Sequence, residues 1–199
     1  MFLLNKTILP MLYNHKSNQT IKIKIMKKLL LITFVAMLSG CIPTNLNPIN
    51  TVSSEIDLNR YLGKWYQIAA LPQVFSFNAK CVTAEYSLNS DGSIKVLNKQ
   101  INQNGTPSEI TGKATVEPNS GNAKLRVGFF GQQPAASNYW IVEIADDYSY
   151  AVVSDPKKIT WWILSRTPQM DPTLVQSIID RWVGYGINMS LLQRTVQDC

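Results

Sequence analysis

Few side chains in this sequence could do covalent or acid–base chemistry, and where they fall decides what they can be. The 199 residues hold three cysteines and one histidine. A thiol can act as a nucleophile, bind a soft metal, take a lipid or oxidise to a disulfide, and the three positions are Cys41, Cys81 and Cys199. The histidine is His15. If the segment carrying it is removed, Ser-His-Asp catalysis, His-containing metal sites and His-ligated haem are excluded with it. No nucleophile elbow, phosphate-binding glycine loop or metal-spaced cluster occurs elsewhere. Glu143 is the carboxylate of interest, because it shares strand parity with Tyr139 and Ile141. A strand register slipped by one residue would instead turn it to solvent. Neither placement supplies the nucleophile or acid–base pair an enzyme needs, so no catalytic residue, metal or cofactor is assigned.

The charge is unevenly spread. Lys and Arg number 19 against 13 Asp and Glu, yet the first forty residues carry six lysines and no acid. Residues 41–199 therefore balance to a formal net charge of zero. A nucleic-acid binder needs a basic face on its folded part, and that class is excluded. Within the first forty residues, Met26-Lys27-Lys28 precedes the apolar run 29–38 and the small residues Ser39-Gly40. This is the pattern of a secretory signal peptide, too short for the ~20 residues of a membrane span. Leu38-Ser39-Gly40-Cys41 resembles a bacterial lipobox, in which the cysteine thiol takes the lipid and cleavage falls just before it. The sequence thus predicts loss of residues 1–40 and a membrane anchor through acylated Cys41. Residues 1–25 lie outside the fold, whether Met26 is the start or the segment is a long basic extension. Ile42 stands where sorting rules would place Asp for inner-membrane retention, which points to the outer membrane. Residues 41–54, rich in Asn, Pro and Ser, read as lipidated cysteine and flexible tether, leaving 55–199 as the domain.

The domain must position its side chains with strands. Short β-rich runs are predicted at 65–71, 82–88, 93–101, 110–117, 124–130, 139–145, 148–153 and 160–165. Ser90-Asp91-Gly92 and Asn104-Gly105 supply turn residues that tolerate positive φ. Val82, Ala84, Tyr86 and Leu88 share one face, and Ile110, Gly112, Ala114 and Val116 another. The small residues Ala84, Gly112 and Ala114 on those faces leave room for a cavity, or for a close neighbour. After the last strand the period changes. Asp171 can cap a helix with Pro172 at its first position, and Leu174, Val175, Ile178, Ile179, Trp182 and Val183 follow helical spacing. A short strand near 193–197 ends the chain. Eight consecutive antiparallel strands argue for a sandwich or an up-and-down barrel.

Asn59-Arg60-Tyr61-Leu62-Gly63-Lys64-Trp65-Tyr66-Gln67-Ile68 resembles the opening motif of the lipocalins. Asp146-Asp147-Tyr148 falls between the sixth and seventh strands like their second motif, and Ser165-Arg166-Thr167-Pro168 ends the eighth like their third. Three motifs in order among eight strands, followed by one helix, identify the chain as a member of that family. Within the family it resembles the bacterial outer-membrane and apolipoprotein D branches through Lys80-Cys81-Val82-Thr83-Ala84-Glu85-Tyr86-Ser87-Leu88 and residues 162–168, and the bacterial branch through residues 124–131. The resemblance implies an all-β, eight-stranded antiparallel up-and-down barrel with one C-terminal helix packed outside. Gly63, Trp65, Asp147, Tyr148 and Arg166 are then structural, with Trp65 plugging the floor under Arg166.

The same resemblance implies a binder of fatty acids, lysophospholipids or similar apolar molecules, serving envelope maintenance under stress. It turns the Glu143 face inward, where Glu143 and Tyr139 could hold a headgroup or reach Gln67 through water. Alternation and resemblance together nominate Tyr86, Leu88, Val96, Asn98, Val127, Phe129, Tyr139, Ile141, Glu143, Ala151, Val153 and Trp162 as cavity lining. A matching cysteine pair in the apolipoprotein D branch implies a Cys81–Cys199 disulfide, against the alternative of Cys81 as a reactive strand thiol, which one enzyme of the family uses. A structural lipoprotein with a filled barrel and a lipid-modifying envelope enzyme are the rival functions. Pairing with a second copy as a homodimer stays open.

Overall fold

The computed structural model describes residues 49, 50 and 55–199. The signal segment, Cys41 and most of the tether lie outside the described residues. A single helical turn, α1 (Leu58–Tyr61), is capped by Asp57, whose carboxylate accepts from the Asn59 amide at 2.9 Å. Eight strands follow: β1 (Gly63–Ala70), β2 (Lys80–Leu88), β3 (Ile94–Ile101), β4 (Pro107–Val116), β5 (Lys124–Phe129), β6 (Tyr139–Ile144), β7 (Tyr150–Ser154) and β8 (Trp161–Ser165). Each pairs antiparallel with the next, and β1 pairs with both β2 and β8, so the sheet closes on itself. The sandwich alternative is removed by that closure. Then come α2 (Pro172–Val183), a 3-10 turn at Met189–Leu191 and the short β9 (Gln193–Arg194) on β1.

Alternation along the strands divides the apolar residues into two layers. Inward-facing Trp65, Val96, Ala114, Leu125, Ile141, Ala151 and Val153 fill the closed end of the barrel. Outward-facing Val142, Val152, Trp161 and Ile163 meet Val175, Ile178, Ile179 and Trp182 of α2. Asp171 starts that helix by accepting from the amides of Thr173 and Leu174 at 2.7 and 3.0 Å, and Pro172 needs no partner there. Each fully buried Val, Ile or Trp in this seam contributes roughly 1.5–3 kcal/mol by leaving water. Ile49, which the sequence puts in the tether, is 6% exposed and belongs to this outer layer.

Three local features set the walls. Gly112 sits opposite Phe129, and a Cβ there would lie 2.7 Å from the Phe129 ring. Its missing side chain therefore seats an aromatic instead of leaving a void. In β6 one extra residue interrupts the ladder: Ile141 faces Val153, but Glu143 faces Val152. This bulge reverses parity, so Ile141 and Ile144 point inward while Val142 and Glu143 point out. The third feature is a pair of seams. The β1–β2 pairing stops at Tyr66 and Thr83. Beyond it the C-terminal segment is spliced in, with the Thr195 amide donating to Ile68 O at 2.9 Å and the Cys81 amide to Val196 O at 2.8 Å. The Gln197 side-chain amide bridges the carbonyls of Gln67 and Val82 at 2.9 and 2.8 Å. A Cys81–Cys199 disulfide pins the tail. The β5–β6 pairing is limited to Lys124–Trp140 and Leu125–Tyr139. There Asn138 imitates a strand with its side chain, accepting from Val127 N at 2.8 Å and donating to Val127 O at 3.0 Å.

Candidate functional site

One end of the barrel is locked shut by the three motif segments. Arg166 lies 3.7 Å above the Trp65 ring and donates to the carbonyls of Lys64 (2.9 Å), Arg60 and Tyr61 (3.2 Å). The Trp65 indole donates to Tyr61 O at 2.8 Å. Gly63 turns into β1 with φ +88°, and Arg166 Nη1 lies 3.6 Å from where its Cβ would be. Arg60 stacks over Tyr148 at 4.0 Å, the Tyr148 hydroxyl accepts from the Asp57 amide at 2.9 Å, and Asp147 caps its own turn at Ser149 N. The charge–aromatic stack over Trp65 contributes about 0.5–2 kcal/mol. These contacts tie α1, β1, the β6–β7 turn and the end of β8 to one another.

The other end is open. A cavity of about 380 Å³ runs down from the loops joining β1–β2 and β7–β8 toward the floor. Tyr86, Val96, Asn98, Val127, Phe129, Tyr139 and Trp162 line it, seven of the twelve nominated residues. Phe75 closes over it from the β1–β2 loop, its ring 6.3 Å from that of Phe129. Tyr139 stacks against Trp162 at 6.3 Å. Around the mouth Phe77, Phe130 and Ile159 stand more than half exposed. A second depression of about 400 Å³, beside β9 and the β3–β4 turn, has no aromatic lining.

The other five nominees sit elsewhere. Ile141, Ala151 and Val153 do face inward but are fully buried in the floor packing, below the cavity. Leu88 is 59% exposed, because β1 begins opposite Tyr86 and the last residues of β2 run past the wall. Glu143 is outside the barrel, and this corrects both expected placements, lumen and solvent. The β6 bulge presents it to α2, where it accepts from Arg181 Nη2 at 2.5 Å, Trp182 Nε1 at 2.8 Å and the Tyr150 hydroxyl at 2.9 Å. That bond raises the Arg181 pKa. Burial first, and Glu143 second, push the Tyr150 hydroxyl up to about 12. Glu143 fastens the helix.

The structure also brings in residues that the sequence reading left out: Gln67, Gln73, Phe75, Val82, Thr83, Ala84, Asn138, Asp155, Ile159, Thr160 and Leu164. Val82 and Ala84 share the alternating face of β2 with Tyr86. The loop residues carry no periodic signal. Asp155 is held by the amides of Lys157, Ile159 and Thr160 and by the Thr160 hydroxyl, at 2.6 to 2.9 Å. No lysine or arginine lines the cavity. At its base the hydroxyls of Tyr61 and Tyr86 meet that of Tyr139 at 2.7 and 2.9 Å. Burial pushes Tyr86 up to about 12 and holds Tyr61 and Tyr139 well above the usual phenol range.

A closed eight-stranded barrel, an Arg-over-Trp floor and one outer helix decide the family, and comparison with known proteins agrees. A family profile described as a lipocalin-like domain matches residues 56–197. The chain belongs to the lipocalin family. Outer membrane lipoprotein Blc of Vibrio cholerae is 38% identical over 162 residues, 79% of this chain and 89% of that protein. Apolipoprotein D of Bos taurus is 37% identical over 158 residues, covering 75% and 82%. Among solved structures, insecticyanin of Manduca sexta superposes with a TM-score of 0.58 at 21% identity, over 77% of this chain and 86% of that one. The three lipocalin motif segments lie at the closed end of the barrel, opposite the open mouth of the cavity.

Proposed function

We propose that this lipocalin is a lipid-anchored carrier of the bacterial outer membrane that buries the acyl chain of a fatty acid or lysophospholipid. One observation carries the reading: the barrel is not filled by its own side chains but holds an apolar, aromatic-lined cavity of about 380 Å³ open at one end. That volume lies in the range of small-molecule sites. Affinity comes from taking the chain out of water, about 0.8 kcal/mol per methylene. With no cation inside, an ionised head belongs at the mouth, in water. Acylation of Cys41 and outer-membrane residence rest on the lipobox-like Leu38-Ser39-Gly40-Cys41 and on the relative whose name makes it an outer membrane lipoprotein. Against the enzymatic alternative, Glu143 is engaged by α2 outside the wall and the Cys81 thiol is paired with Cys199. Envelope maintenance is the corresponding role.

The test is calorimetric titration of the purified, ligand-stripped protein with a fatty acid and with a lysophospholipid, below micelle-forming concentration. Saturable binding near one to one is expected, with a negative heat-capacity change from apolar burial. A folded protein that takes up neither lipid overturns the reading.

A further inference from the structure

The base of the cavity is built from three phenols on three separate elements: Tyr61 on α1, Tyr86 on β2 and Tyr139 on β6. Their hydroxyls form a chain, with Tyr139 in the middle at 2.7 Å from Tyr61 and 2.9 Å from Tyr86. Each phenol has one proton to give and lone pairs to accept with. Three protons therefore serve two bonds. Among the described residues, these two are the hydrogen bonds that the three oxygens make. One proton has no acceptor supplied by the protein.

Its position follows from burial. Tyr61 is 2% exposed and does not line the cavity, whereas Tyr86 and Tyr139 do. A proton stranded on Tyr61 would be an unpaired buried donor, the costly arrangement. With Tyr61 donating to Tyr139, the surplus proton falls to Tyr139 or Tyr86, on the cavity wall. The cluster stays protonated, because burial raises all three phenols. It is thus a donor, never an anion, across the ordinary pH range.

The charge of its partner is also constrained. The lining contains no lysine or arginine, and its one carboxylate, Asp155, is saturated by its own turn. A carboxylate or phosphate brought to the floor would be a buried charge without a counter-ion, which is strongly unfavourable. A bare methyl end would leave the proton to a trapped water. We infer that the floor selects a cargo with a neutral oxygen acceptor (a ketone, an ester carbonyl or a hydroxyl) at the end that enters first, held by the Tyr86–Tyr139 hydroxyls. This rests on the carrier reading and adds a preference to it: of two chains of equal length, the one whose leading end carries such an oxygen binds more tightly.

The probes are a long-chain methyl ketone and the alkane of equal length, titrated into the full ligand-stripped protein and into its Tyr86→Phe/Tyr139→Phe variant. The variant is expected to weaken the ketone about fivefold or more while leaving the alkane unchanged. Should the double variant not fold, the unaltered protein still gives an answer. Its near-ultraviolet tyrosine absorption is expected to shift on adding the ketone and not on adding the alkane. Equal losses for both probes, no loss for either, or a tyrosine shift common to both overturns the inference while the carrier reading stands. Binding of neither probe by unaltered protein that does take up a fatty acid or lysophospholipid overturns the inference alone, and uptake of none of the four removes the carrier reading as well.

Discussion

Two seams interrupt the hydrogen-bonded circuit of the barrel, and they are closed by opposite means. Where β1 parts from β2, the remedy comes from the far end of the chain: backbone bonds from Thr195 and Val196, the bridging amide of Gln197 and a disulfide to Cys199. Where β5 parts from β6, the remedy is local, one asparagine standing in for a strand. The remote splice joins groups 115 to 130 positions apart in the sequence, whereas Asn138 is eleven residues from the group it satisfies. The first seam concentrates stability. The second is the weak line of the wall.

Breaking the covalent splice is the largest expected effect. Cys81→Ser opens a loop of 118 residues in sequence separation, worth ~4–5 kcal/mol in the chain-entropy model. Urea unfolding with and without the substitution measures it. A loss under ~1 kcal/mol would mean that the noncovalent contacts of the tail, not the bond, close the seam.

Alkaline pH tests the phenol cluster at the floor of the cavity. Burial raises Tyr86 from its usual value to about 12, so the folded state holds this proton longer than the unfolded one. The stabilisation is complete below pH ~10, the unfolded phenol's value, and is lost as pH rises toward and through about 12. Tyr86 alone accounts for about 3 kcal/mol of that loss. Urea unfolding at a series of alkaline pH values is expected to fall steeply, and Tyr86→Phe to flatten the slope.

Asn138→Ala is the matching cut at the second seam. The Val127 amide and carbonyl lose their partners, but the site is open to water, so the loss is about 1 kcal/mol. The clearer signal is faster hydrogen exchange at Val127 with little change elsewhere. Least of all is Glu143→Gln. Its charge pair with a half-exposed Arg181 contributes at most ~1 kcal/mol, and α2 is expected to loosen slightly in denaturant. Affinity for a lipid is expected to stay as it was, which separates the outer wall from the cavity.

The two seams also mark where sequence reading succeeds and fails. Strands whose alternation is unbroken, such as β4, are legible, and so is α2, because Asp171-Pro172 announces it. The floor is legible through Trp65 and Arg166, which sit in short fixed spacings. Glu143 is not, since a bulge changes parity without leaving a mark in residue type. Leu88 obeys its face but outruns its neighbour, a fact about the length of β1. Tyr61 joins Tyr86 and Tyr139 only through tertiary contact, as Asn138 meets Val127 and Gln197 meets Gln67. Such partners are set by closure of the barrel and have no local period to betray them.

The placement of the indoles has an optical consequence. Of the five tryptophans, Trp162 alone lines the cavity. Trp65 lies beneath Arg166, Trp140 beneath Lys124, and Trp161 and Trp182 in the layer under α2. Emission is thus the sum of one fluorophore that sees cargo and four that see scaffold. Occupancy alters a minority of the signal and unfolding alters all of it, so a single spectrum carries both readings in separable parts.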